Sequence, residues 1–409
     1  MTTSILNTWA LRMHFSPLLN VYFCSKQFHT LVKIRRPEIF CTPMMDSFRR
    51  LDDFENHAVS VLPPSIRDYY VNGAGEGHTL KINREAFRRL RIRPRLLRNV
   101  ANRDISTTVL GQKVSMPLGV SPTGKQRLAH PSAECATAKA TESAETVFIL
   151  SAFSSTRIQE VAKAAPKGIM WMQTMLHSDR DCTLHCVRRA EEAGFKAIVL
   201  TIDNAVLPKN KAHILDDIPD LSTAVYEDYF LTKMTAEEMG NVHLQIRKII
   251  DQSLTWEAVE WMTSVTKLPI VVKGVLTAED ALLAVKHGAS AILVSNHGAR
   301  QLDGTPAPIE ALPEVVKAVG DKVEVYVDGG VRQGIDVFKA LAIGARMVFI
   351  GRPMLWGLAC GGEEGARAVL EIMRREIDET FALAGCSNVE QISRDKDLVV
   401  HKSYYNRLL

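Results

Sequence analysis

The 409-residue chain has no run of 18 or more uninterrupted apolar residues, so no membrane-spanning helix is expected. It also has no CxxC pair. Its seven cysteines (Cys24, Cys41, Cys135, Cys182, Cys186, Cys360 and Cys386) are odd in number and scattered, which argues against a disulfide framework and for a reducing compartment. Cys182 and Cys186 flank His185 at helical spacing, but a metal site needs a second pair, and ordinary packing of buried thiols is the expectation. Strong net charge is missing too: +4 is too little to argue for nucleic acid. What excess there is lies at the start, where Arg12, Lys26, Lys33, Arg35, Arg36, Arg49 and Arg50 face only Glu38 and Asp46. Residues 1–48 therefore read as a basic leader, either a mitochondrial-type targeting segment or a disordered extension. Residues 49–400 remain for one large folded domain, with 401–409 as a tail.

Within that domain, short β-branched apolar runs alternate with amphipathic stretches. The runs are Pro117–Ser121, Val147–Ala152, Gly168–Gln173, Ala197–Thr201, Pro269–Lys273, Ala291–Ser295, Glu324–Val327 and Met347–Ile350. Near-continuous apolarity over so few residues fits strands buried on both faces, as parallel sheets require. The stretches between them, such as CTLHCVRRAEEAG and TAEDALLAVKHG, have helical spacing, and several end at a glycine (Gly194, Gly288, Gly344) just before the next strand. Eight alternations predict a TIM (β/α)8 barrel, with an open doubly wound sheet as the alternative. Asp52–Asn83 reads as an N-terminal helical segment. Asp203–Leu268 is too long for one connection and reads as a lid insertion after strand 4, with helical stretches near Thr235–Ile250 and Thr255–Thr266.

Barrel chemistry sits at the C-terminal strand ends, and every end here carries a polar residue or a glycine. In order they are Pro122-Thr123-Gly124, Ser151, Gln173, Thr201 with Asp203, Lys273, Ser295-Asn296-His297, Asp328-Gly329-Gly330 and Gly351-Arg352. The two glycine-rich ends, DGGVRQG (Asp328–Gly334) and GRP (Gly351–Pro353), follow strands 7 and 8, the corner where such barrels commonly hold a phosphate. Arg332 and Arg352 would add charge-assisted bonds there. SNHGARQLDG (Ser295–Gly304) puts a histidine three residues before an arginine on one loop. That pairing offers a base that works near neutral pH and a fork for a carboxylate, although the same sequence also forms turns well.

These residues resemble the active-site signature of the FMN-dependent 2-hydroxy-acid oxidases and dehydrogenases, which include glycolate and lactate oxidases. The resemblance runs from Leu51 to Val400 and includes YYVNGAGEGHTL (Tyr69–Leu80), RPRLLRNV (Arg93–Val100), PLGVSPTGKQRLAHP (Pro117–Pro131) and LPIVVKGVLTAEDA (Leu268–Ala281). It implies FMN as cofactor, His297 as base and Asp203 as the carboxylate that orients it. It further implies Arg300 on the substrate carboxylate, Tyr69 donating a hydrogen bond to the same substrate, and Lys273 beside the flavin. Pro122, Thr123, Gly124, Ser151, Gln173, Thr201 and Ser295 would meet the isoalloxazine and ribityl groups. Asp328, Gly329, Gly330, Arg332, Gly351 and Arg352 would meet the ribityl-phosphate end. The implied reaction takes an (S)-2-hydroxy acid to a 2-oxo acid with O2 reduced to H2O2, by hydride transfer or by removal of the Cα proton. The alternatives are a dehydrogenase with another electron acceptor and a degenerate FMN-binding barrel. The resemblance also implies a homo-oligomer (a tetramer) and a peroxisomal location. The basic leader and the final Asn406-Arg407-Leu408-Leu409, unlike a Ser-Lys-Leu tail, point instead to the mitochondrial matrix.

Three positions depart from the family pattern. Gln173-Thr174-Met175 stands where Gln-Leu-Tyr is usual, so Met175 replaces a tyrosine hydroxyl. TIDNAVLPKN (Thr201–Asn210) stands for a TVDTPxLGRR-like stretch, so Asn210 replaces an arginine expected on the carboxylate. Phe153 stands for a tryptophan, which leaves more room and favours a longer 2-hydroxy acid over glycolate.

Overall fold

The computed structural model describes residues 47–206, 224–231 and 250–407. The leader up to residue 46, Asn210, nearly all of the Thr235–Ile250 stretch and the last two residues lie outside the described residues, as does much of the insertion.

The barrel strands are β1 Leu118–Val120, β2 Val147–Leu150, β3 Ile169–Thr174, β4 Ile198–Thr201, β5 Ile270–Val275, β6 Ala291–Val294, β7 Glu324–Asp328 and β8 Met347–Ile350. They form one closed parallel barrel in chain order. Closure is made by β8 against β1, with Val348 opposite Leu118 and Ile350 opposite Val120. The predicted (β/α)8 barrel is therefore correct and the open sheet is excluded. A helix precedes each next strand: α1 Ala133–Ser143, α2 Ile158–Ala164, α3 Arg180–Glu192, α4 Glu257–Val265, α5 Ala278–Lys286, α6 Pro308–Val319, α7 Gly334–Ile343, and finally, after β8, α8 Arg352–Ala384, which is broken at Gly361 and Gly362. The N-terminal helical segment resolves into helices Leu51–Val61, Pro64–Val71 and His78–Arg88.

Strand side chains alternate between two cores. Val147, Ile149, Trp171, Val199, Val271, Leu293, Tyr326 and Phe349 fill the barrel interior, while their neighbours pack outward against the helices. Trp171, Tyr326 and Phe349 form a mutually packed trio, with ring centroids 5.6 to 5.9 Å apart. Gly119 makes room for them, because a Cβ there would lie 2.7 Å from the Phe349 ring. Below this plug the antiparallel pair Thr107–Val109 and Gln112–Val114 closes the N-terminal end, adding Val109 and Val114 to the interior. A second small ladder, Leu90–Ile92 against Val399–His401, ties the two ends of the domain together. With its interior filled from below, the barrel leaves its C-terminal rim as the place for a ligand.

Cys182 and Cys186 are fully buried on α3, and burial pushes the Cys186 thiol up to about 12. They pack as expected, and no cluster of three or more potential metal ligands occurs among the described residues. No helix among the described residues is long and apolar enough to cross a membrane.

Candidate active site

A cavity of about 220 Å³ opens at the C-terminal rim. The loop after β6 supplies its centre. His297, Gly298 and Ala299 take φ of 58°, 62° and 61°, three successive left-handed residues of which only one is glycine. Such a turn costs roughly 1–2 kcal/mol per non-glycine residue and persists only where its surroundings fix it. They do so from several sides. Asn296 Oδ1 accepts from Ala299 N at 3.0 Å, and Asn296 Nδ2 donates to Asn83 Oδ1 at 2.7 Å and Pro306 O at 3.1 Å. Ala299 O accepts from Ala74 N at 2.7 Å, Gly298 O accepts from Arg352 Nη1 at 2.9 Å, and His297 N donates to Ser295 Oγ at 3.0 Å. Further along, Asp303 accepts from the backbone N–H groups of Glu76, His78 and Thr79, which fastens the loop to the start of helix His78–Arg88.

His297 Nδ1 lies 2.8 Å from Asp203 Oδ1, at the end of β4. Burial raises the Asp203 carboxyl, but the charge of His297, its hydrogen bond and Lys273 outweigh that and hold it below the usual carboxylate value. This pairing fixes the proton on Nδ1 and leaves Nε2 as the basic nitrogen. Gly274 permits the approach: with φ of 114°, it lies where a Cβ would stand 2.7 Å from that of Asp203. Arg300 donates through Nη1 to Tyr69 O at 2.7 Å, and its guanidinium lies 4.9 Å from the centre of the Tyr69 ring. Tyr69, Phe153, His297 and Arg300 all line one cavity. Gly124 lets Phe153 close in, since a Cβ at Gly124 would lie 2.7 Å from Phe153 Cβ.

Lys273, Pro122, Thr123 and the β7 and β8 ends line the same cavity. Lys273 Nζ donates to Ser295 Oγ at 2.9 Å and stands 3.7 Å from Asp328 Oδ2, which also accepts from Ser121 Oγ at 3.0 Å. Thr201 is buried opposite Lys273 in the ladder. Ser151 Oγ and Ala152 N both donate to Gln173 Oε1, at 3.3 and 3.0 Å. Ser151, Gln173, Thr201, Ser295 and Asp203 thus support residues of the rim rather than line the cavity. Gly329, Gly330 and Gly351 do line it, and Gly330 is indispensable, because a Cβ would fall 2.0 Å from Asn83 O.

Three buried features of this corner favour an anionic, hydroxylated ligand. Arg332 Nε and Asp328 Oδ1 are buried without a hydrogen-bond partner among the described residues. Burial and the neighbouring charge of Arg84 push Arg332 down to about 10, even with Glu55 nearby, so a bound phosphate would relieve it. The glycine cradle leaves backbone N–H groups reachable. A ribityl phosphate fits these donors and acceptors. Arg352 also lines the cavity, but three of its N–H groups already go to the carbonyls of Tyr70, Asn72 and Gly298, so it braces the loops as much as it can serve an anion.

Met175 sits elsewhere than expected. It is buried behind Asn204 and does not line the cavity, whereas Asn204 does. Besides Asn204, sequence reasoning missed Ser121, Asn83, Arg84 and Lys125 among the lining residues. Asn204 and Lys125 each lie next to a residue already singled out, so adjacency to Asp203 and Gly124 was the available signal.

A (β/α)8 barrel with a histidine–carboxylate pair, an arginine fork and a phosphate corner at one rim has the makings of a flavin-dependent oxidoreductase. Residues 58–399 match the FMN-dependent dehydrogenase family. The chain is 48% identical over 359 residues to 2-hydroxyacid oxidase 1 of Homo sapiens, covering 85% of this chain and 95% of that protein. To glycolate oxidase of Spinacia oleracea it is 48% identical over 347 residues, covering 84% and 94%. Among solved structures it is similar to a mandelate oxidase, with a TM-score of 0.78 and 37% identity over 85% of this chain and 98% of that one. The protein belongs to the FMN-dependent dehydrogenase family, whose cofactor is FMN.

Proposed function

We propose that the protein oxidises an (S)-2-hydroxy acid to the 2-oxo acid and passes the electrons to O2, releasing H2O2. The observation that carries this reading is the placement of His297, backed by Asp203 at 2.8 Å, in one cavity with Arg300. When bound, FMN accepts the hydrogen and electron pair that leave the substrate and hands two electrons to oxygen. The protein does the rest. Arg300 uses its remaining N–H groups to hold the carboxylate, with Tyr69 beside it, and this fixes the hydroxylated carbon against the base. His297 takes the proton that leaves the substrate, and Asp203 stabilises the positive imidazole that results. Lys273, buried and paired with Asp328, supplies positive charge where negative charge gathers during reduction. Arg332, Gly329, Gly330 and Gly351 would hold the phosphate; Asp328, Pro122 and Thr123 would position the rest of the cofactor, with the Ser151–Gln173 pair bracing the rim behind them. Phe153 at the cavity wall supports a substrate longer than glycolate. Among relatives of this chain is a peroxisomal (S)-2-hydroxyacid oxidase of Arabidopsis thaliana, and an enzyme that makes H2O2 suits the same compartment.

The test is an anaerobic absorbance titration of the flavin-loaded protein with glycolate, (S)-lactate and (S)-2-hydroxyoctanoate, followed by re-aeration. Bleaching of the flavin band, then its return with stoichiometric H2O2, supports the reading, and the order of the three ranks chain length. Bleaching that air does not reverse would point to a dehydrogenase with another acceptor. A yellow protein that none of them bleaches would refute hydroxy-acid oxidation.

A further inference from the structure

Asn204 is among the polar cavity residues that the mechanism above leaves without a task. It follows Asp203 directly, so the chain that carries the histidine's carboxylate partner also brings this carboxamide to the cavity. Asn204 is nine-tenths buried, with 6% of its surface exposed. Its Nδ2 donates to Met175 Sδ at 3.4 Å, and Met175 is itself buried. A thioether is a weak acceptor, so this contact orients the amide without meeting its hydrogen-bonding capacity. A carboxamide has two N–H groups, and the sulfur takes one. The other is held in direction by that contact, in a side chain that lines the same cavity as His297. A substrate whose carboxylate is on Arg300 and whose hydroxyl faces His297 lies in the cavity that Asn204 also lines.

We propose that Asn204 is a specificity-determining residue that donates a hydrogen bond to the C2 oxygen of the substrate, with Met175 as the positioning residue behind it. The bond strengthens as the hydroxyl becomes a carbonyl and its oxygen draws charge, so Asn204 selects for an oxygen at C2 as well as for a carboxylate. The inference rests on the hydroxy-acid reading.

Matched ligands separate the two. Flavin absorbance perturbation, checked by calorimetry on the flavin-loaded protein, gives Kd for 2-oxooctanoate and octanoate, and for pyruvate and propanoate. Asn204→Ala is expected to weaken the 2-oxo acids about tenfold or more while leaving the plain carboxylates within about twofold, and to slow flavin reduction more than it raises KM. Met175→Leu keeps the volume but removes the sulfur, and a several-fold loss confined to the 2-oxo acids is expected. It serves as the test if Asn204→Ala does not fold. Equal loss for both ligand types, or no loss for either, would overturn the role of Asn204 while wild-type bleaching by a hydroxy acid still stands. A wild-type protein that no hydroxy acid bleaches would overturn both.

Discussion

Replacing Asp203 by Asn tests the electrostatic core of the proposed mechanism without removing an atom of volume. In the proposed mechanism the imidazole of His297 becomes positive as it takes the substrate's proton, with a carboxylate oxygen 2.8 Å from Nδ1. With the charge centres about 4 Å apart, an effective dielectric near 20 makes this attraction worth about 4 kcal/mol. Mutational series put the loss of a hydrogen bond to a charged group at about 1.5–3 kcal/mol. Together these bracket a fall of about ten- to a thousandfold in the rate of flavin reduction. The amide oxygen can still accept from Nδ1–H, so the ring keeps its orientation and substrate binding through Arg300 should change little. Removing an opposite charge disfavours the protonated imidazole, so the acidic limb of kcat/KM should move to lower pH. Stopped-flow reduction by (S)-2-hydroxyoctanoate across pH 5–9, with Kd for 2-oxooctanoate and a thermal melt as controls, reads all three. Wild-type reduction with an unmoved pH profile in a folded Asp203→Asn protein would show that the pair has only a structural role.

Arg332→Ala, which removes a buried cation from the phosphate corner, should raise the Kd for FMN about ten- to a hundredfold, measured by the fluorescence of released flavin. Gly330→Ala and Gly304→Ala both force alanine into left-handed backbone, with φ of 85° and 90°. Only the first places its Cβ 2.0 Å from Asn83 O, while the second meets nothing within 4 Å. Gly330→Ala should therefore lower the melting temperature and FMN content far more than Gly304→Ala, and equal effects would refute the close-approach argument. The backbone N–H of Thr79, ahead of smaller contributions from His78 and Gly304 and against some burial, holds the Asp303 carboxyl down to about 2. A depressed carboxyl contributes stability in full above its unfolded pKa of about 3.9, and the contribution is lost as pH falls towards about 2. Asp303→Ala should thus melt earlier than wild type at pH 7, with a difference that closes in acid. A difference that holds constant down to pH 2 would remove Asp303 from the account.

All eight barrel strands were legible in the sequence because burial on both faces makes each a compact apolar run bounded by turn residues. The floor was not: TTV and QKV are three-residue strands, with one residue of each exposed, too short for periodicity to register. At the rim, the residues that name a chemistry stood out by type and by position at a strand end, and His297, Asp203, Arg300 and Lys273 are brought together there. What was hidden is what neutral side chains do. Asn296 and Asn83 look like a turn residue and an indifferent helix residue, yet they bond each other and shape the catalytic loop. Arg352 in a Gly-Arg-Pro turn looks like a phosphate ligand, but three of its donors are spent on carbonyls that only tertiary structure brings near. Met175 lies just past the end of β3, where strand alternation no longer dictates which way a side chain faces, so its withdrawal behind Asn204 could not be read from spacing.

The placement of Asn83 joins the two halves of the site. Its carboxamide exchanges hydrogen bonds with Asn296, one residue before His297, while its carbonyl presses against Gly330 in the phosphate cradle. The helix that carries it, His78–Arg88, is anchored at its start by Asp303 from the same loop as His297, and it brings Arg84 to the corner where Arg332 lies. A segment outside the barrel is therefore wedged between the loops after β6 and β7. These contacts depend on position rather than on charge, since Asn83 is a buried, neutral side chain. The left-handed turn at 297–299 and the glycine cradle at 329–330 are both strained or crowded backbone, and each is held partly by this one helix. The base and the cofactor corner consequently share a support. Helix His78–Arg88 is part of the candidate site's construction, because it contacts both loops directly.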